Sequence, residues 1–128
     1  MVDEDDAQNP ETGFPKADTK RPSCYLEVKN VHLMRHPRLA EFPDSVTARG
    51  AKHLNELAAM AEGGARSALL FVIQISSADR FAIARDVDPT YAAAFDRARE
   101  KGVEMLAWRC NVSVEGIEMT APVPIVYS

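Results

Sequence analysis

Residues 65–76, ARSALLFVIQIS, hold an unbroken apolar run from Ala68 to Ile73, and this run constrains the fold more than any other part of the chain. A half-exposed strand alternates apolar and polar residues, whereas a continuous run of this length belongs in the middle of a sheet with layers on both faces. A long helix is excluded by the stops on either side, Gly63-Gly64 before the run and Ser76-Ser77 after it. Helical periodicity flanks it in both directions. In PDSVTARGAKHLNELAAMAEGG, residues 43–64, Asp44 or Ser45 is expected to cap a helix whose stripe is Val46, Gly50, Leu54, Leu57 and Ala61, with Gly63 and Gly64 ending it. Gly50 costs roughly 1 kcal/mol of helix propensity relative to alanine, which predicts close packing of this helix against the sheet. A second helix is expected from the cap Asp88 and first-turn Pro89, through Tyr91, Phe95 and Ala98, to Lys101, with Gly102 closing it.

Further strands are predicted at CYLEVKNVHL (residues 24–33) and VEMLAWRCNVS (103–113), with VEGIEM (114–119) returning as a short hairpin partner. Between the first strand and the first helix, MRHPRLAEF (34–42) reads as a polar loop, and the tail from Ala121, with Pro122 and Pro124, as peripheral. The order is strand, helix, strand, helix, strand, short strand. Such units require parallel pairing and right-handed crossovers, so the expected fold is α/β, a mixed sheet flanked by helices with an antiparallel edge.

The length of 128 residues suits one domain with one hydrophobic core. No apolar run approaches the ~20 residues of a membrane span, and the acidic opening MVDEDDAQNP is unlike a signal peptide, so a cytoplasmic location and no membrane partner are expected. Cys24 and Cys110 are the only cysteines and sit in apolar segments, as buried thiols do in a reducing compartment. Residues 1–22 read as an acidic flexible arm, interrupted by Pro10, Pro15 and Pro22, ahead of a domain at 23–128. In residues 1–20, six acids against two lysines account for the whole net charge of −4. The remainder is neutral, but Lys29, Arg35, Arg38, Arg49, Lys52 and the three histidines His32, His36 and His53 gather between residues 29 and 53. A local basic cluster of this kind is compatible with a polyanionic partner.

Within the first strand, Glu27 and Lys29 stand two apart and therefore on one face, roughly 7 Å apart along the backbone. By itself such a pair is most often a structural ion pair. Arg49 and His53, four apart on the following helix, share a face that returns over the same strand end. His32 and His36 have no Cys or carboxylate at ligand spacing and do not make a zinc motif. Trp108 and Tyr91 fit core positions better than base-stacking platforms, Gln74 is either a strand-end cap or a reach into the site, and Gly63-Gly64 is no phosphate loop.

The segments CYLEVKNVHL, EFPDSVTARGAKHLNEL, ALLFVIQ, DVDPTYAAAFDRAREKGVEMLAWRC and VSVEGIEM, in that order over residues 23–124, resemble the carboxy-terminal domain of the sugar fermentation stimulation protein family, SfsA. The resemblance implies a restriction-endonuclease-like core and a DNA-binding protein linked to regulation of sugar (maltose) metabolism. By position, Glu27 and Lys29 look like the E-x-K pair of such nucleases, and Arg49 and His53 like the polar helix face bordering the site. With them, Arg35, Arg38 and Lys52 are the candidate nucleic-acid contacts. In that chemistry, carboxylates of two neighbouring strands hold Mg²⁺ against the scissile phosphate, and the lysine positions the attacking water and offsets developing charge. Glu27 is then the metal ligand.

The sequence departs from the family's pattern ahead of E-x-K. The small β-barrel domain and the aspartate-bearing strand of full-length members have no counterpart: Asp3 is followed by further acids, Asp18 lies in PKADTKRP, and Asp44 follows E-x-K and suits a helix cap. The expectation is a DNA-binding, nuclease-like module, a truncated copy without complete catalysis. The alternative is a Mg²⁺-dependent endonuclease. Loss of the barrel is also expected to leave apolar surface that favours a homo-oligomer.

Overall fold

The computed structural model describes residues 24–127 and runs β1 (Cys24–Val31), β2 (Leu33–His36), β3 (Leu39–Phe42), α1 (Ala48–Glu62), β4 (Arg66–Ile73), β5 (Arg80–Ile83), α2 (Pro89–Glu100), β6 (Glu104–Ser113), β7 (Gly116–Pro122) and β8 (Ile125–Val126). The acidic arm, with Asp3 and Asp18, lies outside the described residues. The strands form two four-stranded sheets, β1-β4-β6-β7 and β2-β3-β5-β8. In the first, β1, β4 and β6 are parallel and β7 is the expected antiparallel edge. The apolar run is β4, between β1 and β6, with Leu69, Phe71 and Ile73 fully buried. No helix among the described residues is long and apolar enough to cross a membrane.

Several expectations are corrected. The segment read as a polar loop is the β2–β3 hairpin, which turns at Arg38 with φ 67° and starts the second sheet. The tail is not peripheral: Val123 is buried and β8 pairs in parallel with β5. Helix α1 starts at Ala48 rather than after Asp44 or Ser45, because Thr47 is the cap, its hydroxyl accepting from Gly50 N at 2.9 Å, and Val46 is left outside the helix, 73% exposed. Helix α2 has the expected bounds, capped by Asp88 with Pro89 in its first turn.

Among the described residues, the helices cover one face of the main sheet. Stepping from β1 to β4 to β6 in one direction through right-handed crossovers delivers both helices to the same side. Odd-numbered residues of β1 and β4 meet that layer, while Leu26, Val28 and Leu106 on the other face remain 40%, 48% and 40% exposed. Phe71 joins the two sheets: its ring centroid lies 4.4 Å from that of Phe81 and 5.6 Å from that of Phe42, pairs each worth about 0.5–1.5 kcal/mol beyond area burial.

The two helices are fixed to each other at their amino ends. The buried Asp88 carboxylate accepts from Tyr91 N at 3.0 Å within its own helix and from Thr47 N at 2.8 Å at the start of the other. Gly50 is where the helices touch, since an added Cβ would lie 2.9 Å from Thr47 Oγ1 and 3.0 Å from Tyr91 Cε1. Its close partner is thus the Tyr91 ring of α2, not the sheet. Gly50→Ala is expected to destabilise the fold by about 1–3 kcal/mol, overpacking outweighing the gain in helix propensity, as read from denaturant unfolding.

Candidate functional site

Strand alternation places Glu27 and Lys29 under the helical layer, beside Tyr25 and Val31 and opposite to Leu26, Val28 and Asn30. The Glu27 side chain is 5% exposed and Lys29 19%, and Lys29 Nζ lies 3.1 Å from Glu27 Oε2. The parallel register sets Glu27 against Leu69 and Lys29 against Phe71, so the pair is framed by the most apolar part of β4. A charge in such surroundings requires a counter-charge, and the strand supplies it two residues away.

The Thr47 cap begins α1 so that its second turn lies over β1. His53 Nδ1 comes within 3.4 Å of Glu27 Oε2, off the line of a hydrogen bond, and this nitrogen is buried without a hydrogen-bond partner. Burial, then the charges of Lys29 and Arg49, lower the His53 pKa to about 4 against an upward pull from Glu56. The imidazole is therefore neutral near pH 7. Tyr91 approaches from α2, fully buried, its hydroxyl also lacking a hydrogen-bond partner; burial, with the Glu27 and Asp88 carboxylates, raises its pKa and keeps the phenol protonated.

Of the candidate residues, the fold brings Glu27, Lys29 and His53 together, with Arg49 one turn earlier on α1 and Lys52 exposed on the same helix. Arg35 and Arg38 belong to the β2–β3 hairpin and hold carboxylates there. Arg35 bridges Glu41, at 2.8 Å from Nε, and Asp86, at 2.7 Å from Nη1, which draws the Asp86 carboxyl down to about 2. Arg38 Nε is 2.6 Å from Asp79. Gln74 donates to the Asn30 side chain at 2.9 Å, on the face away from Glu27, so it caps the strand end. His32 and His36 are exposed, and among the described residues no group of three or more His, Cys, Asp or Glu side chains gathers at metal-binding distance. Tyr91, read from sequence as a core aromatic, is one, yet its orphaned hydroxyl belongs to this corner. Only its position three residues after the Asp88 cap hinted at that.

An acid with an amine 3.1 Å from one of its oxygens and a neutral imidazole 3.4 Å from the same oxygen can neutralise an anion, position a water or move a proton. Between about pH 6.5 and 4 the unfolded chain protonates His53 while the native state resists, so stability is expected to fall as pH drops through this window. His53→Gln should flatten that part of a pH–stability curve from chemical unfolding; an unchanged curve would remove the neutral imidazole from the site.

Residues 9–116 match the family described as "Sugar fermentation stimulation protein RE domain". The chain is similar to sugar fermentation stimulation protein homologs of Ruegeria sp. (strain TM1040), 54% identical over 112 residues, and of Brucella ovis, 55% identical over 108. Those alignments cover 88% and 84% of this chain but 48% and 45% of the relatives, so the chain spans about half their length. In structure it is similar to Pyrococcus furiosus SfsA, solved in complex with Ca²⁺, with a TM-score of 0.75 at 24% identity, over 88% of this chain and 53% of that one.

Proposed function

The chain belongs to the sugar fermentation stimulation protein family, and from that premise we propose that it is a DNA-binding module built on a nuclease-like fold, with its contact surface where α1 crosses β1. The observation that carries this reading is the convergence of Lys29, His53 and Arg49 on one corner, with Lys52 exposed beside them on α1. Lys29 is more open than Glu27, so an approaching phosphate meets the ammonium before the carboxylate. Each phosphate contact releases counterions, which ties affinity to salt. Arg35 and Arg38, already balanced by carboxylates, are assigned smaller shares. A part in regulating sugar metabolism rests on the family's name.

Fluorescence anisotropy with duplex and single-stranded DNA between low and moderate salt tests the surface. Binding is expected to weaken steeply with salt, Lys29→Met and Arg49→Ala each lowering the logarithmic salt slope by about 1 and Arg38→Ala by much less. Salt-independent binding would refute this reading.

A second reading, endonucleolytic cleavage of phosphodiesters, is favoured by one specific feature, the same-face Glu27–Lys29 pair at 3.1 Å. The donor set fits a divalent ion only in part: Glu27 contributes an oxygen, His53 Nδ1 lies 3.4 Å from it, and among the described residues no third His, Cys, Asp or Glu side chain joins them. A divalent ion held there would polarise a phosphoryl oxygen. In this scheme Lys29 orients the attacking water and offsets charge on the phosphate, and the apolar frame of β4 keeps bulk water from Glu27. Plasmid nicking with Mg²⁺ or Mn²⁺ is then expected for the wild type and should drop at least about a hundredfold in Glu27→Ala and Lys29→Ala. Equal nicking by all three assigns the activity to a contaminant.

A further inference from the structure

We infer that the face of the main sheet turned away from the helices is a docking surface for a second copy of this chain, joining two protomers sheet to sheet about a two-fold axis. Strand alternation puts Leu26 and Val28 of β1 on that face, and the parallel register carries it through Leu70 and Val72 of β4 to Leu106 and Trp108 of β6. Between the pairs Arg109–Ala121 and Cys110–Met119, β7 has one residue more than β6. The bulge is therefore on β7, β6 keeps its alternation, and Met119, opposite Cys110, joins the same face together with Ile117. Half of the exposed large apolar side chains among the described residues, Leu26, Val28, Leu106, Ile117 and Met119, thus stand on one side of one sheet. Scattered apolar exposure is ordinary on a protein surface, whereas a contiguous strip marks an interaction surface.

The chemistry of the strip selects its occupant. Among the described strand residues on this face only Arg66 and Glu104 are charged, and they pair with each other at 2.9 Å at one end. At the other end Gln74 donates to the Asn30 side chain at 2.9 Å. A polyanion or an anionic lipid surface would need unmatched cations here. An apolar centre between polar ends that satisfy themselves instead complements its own two-fold copy, as an isologous interface requires. Residues 1–23 hold three large apolar side chains, Met1, Val2 and Phe14, against six acids, and match the strip less well. Four strands of about eight residues present roughly 500 Å² on each copy and about 1,000 Å² in the pair, the lower bound for a specific interface, so the affinity is expected to be micromolar. The α1–β1 corner lies on the opposite face and stays open in this dimer, so the inference goes beyond the DNA-binding reading and does not rest on it.

Sedimentation velocity of the full chain between about 1 and 200 μM, with DNA absent, tests the dimer. A monomer–dimer equilibrium with a dissociation constant on the order of 10 μM is expected. Val28→Lys and Leu106→Lys each enter a two-fold interface twice and bury unpaired ammonium groups, so each should weaken association at least about tenfold. Both positions are exposed in the single chain, so unfolding by denaturant at a concentration where all are monomers should match the wild type. Val46→Lys, at an exposed apolar position outside this sheet, should dimerise as the wild type does, which separates this face from general stickiness. A chain that stays monomeric at the highest concentration, assembly beyond a dimer, or equal weakening by Val46→Lys overturns the proposal. A monomer that Val28→Lys also destabilises to denaturant assigns the face to another segment of the chain and overturns it equally. Salt-dependent DNA binding stands or falls by its own measurement.

Discussion

The Asp88 carboxylate accepts a backbone N–H from the start of each helix, Thr47 N ahead of α1 and Tyr91 N within the first turn of α2. Those donors pull its pKa down, so it remains charged and can complement the positive ends of both helix dipoles. With both helix starts pinned to one point, the rotation of α1 about its own axis is limited by Gly50, whose bare Cα faces Thr47 and the Tyr91 ring. That rotation is what sends His53 toward β1 rather than into solvent. The position of the site thus follows from a capping interaction with no part in its chemistry.

From this frame the electrostatics of the corner follow in order. Glu27 lies under the helices on a strand whose neighbours are Leu69 and Phe71, so its charge is expensive to bury without help. Lys29 supplies that help from the same strand, and its positive charge in turn helps to hold the nearby imidazole neutral. A single cation therefore answers both the acid and the base beside it. The guanidiniums of Arg35 and Arg38, by contrast, brace the hairpin against Glu41, Asp86 and Asp79, and their positive charge is largely matched where they stand.

The long elements were legible in the sequence because each carries its own period or punctuation. Asp88-Pro89 announced α2, Gly63-Gly64 ended α1, and the Ala68–Ile73 run marked the central strand. Glu27 and Lys29 sharing a face followed from alternation alone. The second sheet was not legible, since β2, β3 and β5 have four residues and β8 two, too short for a pattern to rise above chance. Their pairing is decided by Phe81 and Val123 entering the core, which is a tertiary fact. The capping of α1 by Thr47 was hidden for a similar reason: Asp44 and Ser45 are good caps locally, but the Asp88 bond that orders Thr47 comes from 41 residues away. The carboxylate partners of Arg35 at Asp86 and of Arg38 at Asp79 are equally remote, 51 and 41 residues on, so their charges looked free. An unbroken apolar run also suggested two covering layers, whereas helices delivered to one side cover one face.

Among the described residues β1 pairs with β4 alone, so Glu27 and Lys29 ride on the outermost strand of their sheet. A strand held along one side opens more readily than one held along two, and its amides exchange with solvent hydrogen sooner than those of β4. The acid and the amine are thereby carried by the more yielding member of a stiff layer, with the imidazole above them fixed by a capped helix. Small excursions of that strand alter the 3.4 Å separation across to His53 on α1, while the 3.1 Å pair, carried on the same strand, moves as one body.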